Sequence, residues 1–185
     1  MIYASLKPVP RWRNRWVVPG YFAIALATGA PPVAAVTAAF GAAGPALPLL
    51  AALACVAAGL LKWLYWREID AERPIATAET ATGLGRFGRV RLLEAPHTED
   101  NYLLQEMAFR IGRKHAERLR RIALGVGFGV PALLAAIAAF LPPAAQVVLL
   151  VLASVAALAG AFVERWLFFA EAKHAVTLYY GASEI

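Results

Sequence analysis

Charge is missing from two long parts of this chain. Between Val17 and Leu61 there are 45 residues with no Asp, Glu, Lys, Arg or His, and between Ile122 and Val163 another 42. The thirty charged side chains are confined to the first 16 residues, the stretch 62–121 and the last 22 residues. Acid is missing from the first 16 residues altogether, where Lys7, Arg11, Arg13 and Arg15 are all cationic. Cysteine is nearly missing too: Cys55 stands alone inside an apolar run, which excludes a disulfide framework and leaves a small buried residue as its role. No Ser-His-Asp set, cysteine cluster, paired-histidine ligand set or Walker loop is present. The spans contain no histidine, so they offer no haem ligand.

What is there is apolar. The chain has 185 residues, 61% hydrophobic and 16% charged, with a mean hydropathy of +0.60. Soluble domains carry roughly 45–50% apolar and about 25% charged residues. A charge at the centre of a bilayer costs about 2.5–3.5 kcal/mol on insertion scales, so uncharged runs of this length belong in lipid. The net charge of +6 then speaks of orientation and anionic lipid, not of nucleic acid. A cleavable leader is not expected, because the basic start is followed by an apolar run far too long for one.

A span takes about 20 residues, so each run makes two helices. Breakers sit near the middle of each: Gly41, Gly44, Pro45 and Pro48 in the first, Pro142 and Pro143 in the second. The expected fold is all-α and polytopic, with four transmembrane helices as two hairpins at about 17–40, 47–66, 118–141 and 144–169. The segments are 1–16, basic and interfacial; 17–66, hairpin one; 67–98, polar loop; 99–121, amphipathic helix; 122–169, hairpin two; 170–185, tail. Pro31 and Pro32 predict a kink whose freed carbonyls need a partner from a neighbouring helix. Gly125, Gly127 and Gly129 would admit close helix approach. Both hairpin turns are uncharged, and all 18 Lys and Arg lie at the opposite ends. The positive-inside rule then places both termini and the central segment in the cytoplasm.

Lys62, with Trp63, Tyr65 and Trp66, reads as an interfacial belt with a snorkelling lysine. Gly83 to Gly88 spells G-x-G-x-x-G, but no strand precedes it and no helix follows, so it does not indicate a nucleotide site. His97, Glu99 and Asp100 read as a capped helix start, with Thr98 as N-cap, in preference to a metal site. From there an amphipathic helix with a basic flank is expected to run unbroken into the third span, along the membrane surface or as a docking face. At the C-terminal edge of the last span, Glu164, Arg165 and His174 are the candidates for proton or quinol work. The competing reading is a plain helix end with interfacial anchors.

At the central segment the chain resembles the membrane anchor subunit of bacterial dimethyl sulfoxide reductases. The resembling residues begin with Tyr3 to Val9 and Trp12, Lys62 to Trp66, and Gly83 to Gly85. More specific are Arg91 to Thr98, Asn101 to Met107, Arg113 to Ala116 and Glu164 to Glu171. The resemblance implies an eight-helix anchor in the bacterial inner membrane. Such an anchor tethers a molybdopterin catalytic subunit and an iron–sulfur subunit, and oxidises quinol in anaerobic electron transport. It implies no cofactor bound by this chain alone: menaquinol or another quinol is the substrate of the complex, and molybdopterin and iron–sulfur clusters sit in partners. This chain matches only the C-terminal half, so it is either an internal start in a longer gene or a truncated relative. The family's quinol-linked residues belong to the absent half and have no counterpart here. Arg86, Arg89, Arg91 and His97 are the docking candidates for the iron–sulfur subunit. The alternative class is a small four-helix transporter or channel half that dimerises, using Thr28, Thr37, Ser154 and Gln146 as its polar path.

Overall fold

The computed structural model describes residues 2–72, 76–94, 110–180 and 182. Four helices are long and apolar enough to cross a bilayer: α2 (Val17–Ala39), α3 (Ala46–Ala71), α6 (Ala116–Ala138) and α7 (Pro143–Ala170). They hold 23, 26, 23 and 28 residues. Short helices outside them are α1 (Ile2–Ser5), α4 (Ala78–Thr82) and α5 (Arg110–Lys114), with no β-strand among the described residues. The expected all-α polytopic fold is what forms. At most 39% of any span's most apolar window is buried. Phe22, Leu26, Leu53, Leu133, Val155 and Phe162 point outward, a surface suited to lipid and not to water.

The two hairpins close into one four-helix bundle. α2 packs on α3 and α7, and α6 packs on the same two neighbours. Side-chain contacts fix which ends coincide. Gln146 at the start of α7 donates to Gly44 O (3.1 Å) in the first turn and to Ala138 O (3.2 Å) at the end of α6, so both turns share one end. At the other end, Arg120 of α6 meets Asp70 of α3, and Trp12, just before α2, meets Phe168 of α7.

The core of the spans is built largely from alanine: Ala27, Ala34, Ala35, Ala51, Ala58, Ala135, Ala138, Ala153 and Ala157 are buried. Small side chains let backbones approach, which is the main attraction available between helices in lipid. Gly127 of α6 and Gly160 of α7 approach closely. A Cβ added at Gly127 would stand 2.7 Å from Gly160 Cα. Gly127 lies in a π-helical stretch, Ala123–Gly129, inside α6. Of the three glycines there, Gly125 has open space and only Gly127 meets another helix.

Pro31 and Pro32 sit within a continuous α2. Pro31 has no N–H to give Ala27 O, and the Cys55 thiol of α3 donates to that carbonyl instead, at 3.6 Å. The lone cysteine thus supplies the neighbouring-helix partner that the proline requires.

Three expectations are corrected. α3 runs to Ala71, beyond the expected end near residue 66, because Glu68 and Asp70 on its last turns reach Arg15 and Arg120. The helix before the third span breaks at His115, whose φ of −111° and ψ of 14° separate α5 from α6. The basic N-terminal segment does not simply lie out at the headgroups: Val9 and Trp12 are buried against the end of the bundle. The expected cap at Thr98, with Glu99 and Asp100, lies outside the described residues.

Candidate functional site

The charges that end the two apolar runs have opposite signs. Lys62 follows Leu61, and Glu164 follows Val163. In the bundle they meet: Lys62 Nζ forms an ion pair with Glu164 Oε1, with the side chains 5% and 0% exposed. Lys62 is therefore not the snorkelling residue expected. Its stem points inward because a buried carboxylate across the bundle offers what headgroup water would. The rings of Tyr65, Trp66 and Phe168 surround the ammonium, with centroids 4.0, 5.0 and 5.5 Å away.

Arg165 completes the cluster. Its Nη2 donates to Glu164 Oε1 at 2.7 Å and its Nε to Oε2. The guanidinium lies 4.1 Å over the Tyr21 ring, which ties α2 to the same centre. One carboxylate thus serves two cations. Removing it would leave two like charges in low dielectric, the costliest arrangement available here. A crevice of about 10 Å³ reaches the cluster between Trp16, Gly20, Tyr21, Lys62 and Arg165. That is room for about one water and not for an aromatic ring. In this state the cluster can hold a proton donor and fix three helices, but it encloses no ring-sized ligand.

Beyond it lies a second layer, which caps the last turn of α7. Helix ends leave carbonyls without intrahelical partners. Here the backbone N–H groups of Glu171 and Ala172 take Leu167 O and Phe169 O, and side chains from elsewhere satisfy other carbonyls at and just past the end. Trp12 Nε1 donates to Phe168 O (3.0 Å) and Arg11 Nη1 to Glu171 O (2.7 Å). Arg113 donates from Nε to Ala170 O (3.0 Å) and from Nη2 to Ala172 O (2.8 Å). Cations at a helix C-terminus are favoured by its dipole. Burial, then the charge of Arg11, lowers the pKa of Arg113 from its ordinary high value. Glu171, itself buried, accepts from Trp66 Nε1 (3.0 Å) and Arg120 Nε (2.8 Å), and Arg120 also holds Asp70 at 3.0 Å. Glu68 accepts from Asn14, Arg15 and Trp16.

Of the sequence candidates, Glu164 and Arg165 are brought together. His174 is not brought to them; it lies past the helix end, its ring edge-on to Trp12 at 5.4 Å. Burial, and second the charge of Arg113, lowers its pKa. Arg86, Arg89 and Arg91 are exposed in a segment outside the bundle, Arg86 over the Phe87 ring at 4.6 Å. His97 lies outside the described residues. The residues that sequence reasoning misses are Lys62, Asp70, Arg113 and Arg120 as members of the network. The opposite signs at the ends of the two runs are the available signal for Lys62. Nothing local marks Arg113, whose partners lie more than fifty residues away.

Comparison with known proteins gives one relative of note. The chain is 27% identical over 181 residues to a protein of Allochromatium vinosum named as a sulfite dehydrogenase subunit. The alignment takes in 97% of this chain and 54% of that protein, so the chain spans about half the length of the curated relative it matches. No protein-family profile matches the chain, and no solved structure matches it.

Proposed function

We propose that this chain is a membrane-embedded part of the anchor subunit of a molybdopterin oxidoreductase complex. In this reading it tethers an iron–sulfur subunit and a molybdopterin catalytic subunit to the bacterial inner membrane and supports quinol oxidation by the assembly. The finer assignment is to the dimethyl sulfoxide reductase type, on the resemblance of segments such as Arg91 to Thr98 and Glu164 to Glu171. The observation that carries the reading is the near-complete alignment of a four-helix bundle with a protein named as a dehydrogenase subunit. The proposed orientation puts the charged end of the bundle in the cytoplasm.

The geometry suits a scaffold. Lys62, Glu164 and Arg165 are spent on holding helices together, and the crevice beside Lys62 is too small for a quinol ring. Quinol chemistry in this reading belongs to the assembled complex. The transporter alternative fares worse. The hydroxyls of Thr28, Thr37 and Ser154 donate to carbonyls of their own helices, and the Nε2 of Gln146 donates to Gly44 O and Ala138 O at the turn end of the bundle. The three hydroxyl protons are thus already used within their own helices, which speaks against a polar path through the spans.

The test is purification from the native membrane under mild detergent. Co-purification in fixed ratio with an iron–sulfur protein and a molybdopterin protein supports the reading. A stable chain isolated without either overturns it.

A further inference from the structure

Outside the spans, a groove of about 890 Å³ opens between α4, the non-helical residues 89–93 and the 3-10 turn Ala175–Tyr180. Its walls are tied. A capping box between Thr77 and Thr80 starts α4, and Gly83, with φ +70°, ends it in the left-handed conformation that glycine favours. Val90 N donates to Glu79 Oε1 at 3.1 Å, which anchors residues 89–93 to α4. Tyr179 Oη donates to Ala81 O at 3.4 Å, joining the C-terminal turn to the same helix. Leu178 and Ala78 are buried beneath.

The lining combines charge with exposed grease. Arg89 and Arg91 face the groove, and the single carboxylate there among the described residues, Glu79, already accepts from the backbone. The rim is Leu84, Leu93 and Tyr179, which are 49%, 101% and 54% exposed. Lipid does not explain these as it explains exposed leucines in the spans, since all three lie beyond the span ends. A bilayer surface meets a convex apolar face. A concave slot with cations inside and apolar anchors at the rim is the form that takes a peptide segment.

We infer that this groove is the docking slot for an acidic, extended segment of the iron–sulfur partner. The inference rests on the proposed membership of a redox complex and adds where contact is made and with what chemistry. Its basis is charge complementarity: two arginines with one committed acid recognise carboxylates, and the leucines and tyrosine bury the intervening apolar side chains.

The test uses the whole complex in native membranes. A benzophenone amino acid is placed at Leu84 or Leu93, whose side chains are exposed. After irradiation, the expected adduct maps to an acid-rich stretch of the iron–sulfur subunit. The charge reversal Arg89→Glu with Arg91→Glu should cut adduct yield and retained partner about tenfold, with the anchor's own level in the membrane unchanged. Adducts on lipid or on this chain's own residues 95–109 overturn the inference. So does a partner that stays bound at wild-type yield after charge reversal. Material that contains no iron–sulfur protein before irradiation contradicts the proposed function itself, a separate outcome from adducts in the wrong place.

Discussion

Replacing Glu164 by glutamine keeps the shape of the side chain and removes its charge. Lys62 and Arg165 would then face each other across the bundle with no anion between them, and the Lys62 side chain is only 5% exposed. Breaking a buried pair by removing one partner costs about 3–5 kcal/mol. For a chain of this size that corresponds to a fall in Tm of roughly 6–20 °C. Lys62→Met alone should cost less, about 1.5–3 kcal/mol, because Arg165 still serves the carboxylate through two nitrogens. The double variant Lys62→Met with Glu164→Gln removes one cation with the anion. Arg165 then remains as a partly exposed cation over Tyr21. The double variant should be more stable than Glu164→Gln alone, with a coupling of about 1–3 kcal/mol. The assay is loss of the monodisperse peak after heating in detergent or nanodiscs. If Glu164→Gln melts with the wild type, or if the two changes add, the cluster is not a buried ionic tie.

Gly127→Leu should block the α6–α7 contact and cost about 1–3 kcal/mol or more, whereas Gly125→Ala, with open space around it, should be tolerated; thermal melts of the two separate the cases. Arg113→Ala should free two carbonyls at the end of α7 and cost about 1–2 kcal/mol, while the exposed Lys114→Ala should be neutral; exchange of the α7 terminal amides reports the fraying. His174 favours its neutral form in the fold, so the unfolded chain binds the proton more readily. Its contribution is full above the ordinary histidine value near 6.5 and is lost as pH falls through the window below it. His174→Gln should flatten that part of a stability profile taken between pH 5 and 8.

Much of the fold is legible in the sequence because lipid imposes a coarse code. Two uncharged runs of twice the spanning length, each broken by glycine and proline, leave little choice but two hairpins. Helix ends are less legible. The five extra residues of α3 are helical because Glu68 and Asp70 find partners at Arg15 and Arg120, and no local rule connects those positions. Lys62 is misread for the same reason. A lysine beside a tryptophan at a span end is ordinarily a snorkelling anchor, and only the carboxylate of Glu164, about a hundred residues on, turns it inward. The role of Cys55 is invisible as well. It depends on Pro31 of another helix standing at the same depth. Gly127 can be told from Gly125 only by which one faces Gly160.

Everything proposed for this chain requires both hairpins to leave and re-enter the membrane on one side, with every ionic group gathered there. Single cysteines at Gly44 and Pro143, in a Cys55→Ser background, can be probed with an impermeant maleimide on intact cells. Labelling is expected at both turns from outside, with a cysteine at Lys114 protected until the membrane is opened. Labelling at Lys114 from outside, or protection of either turn, would contradict that topology.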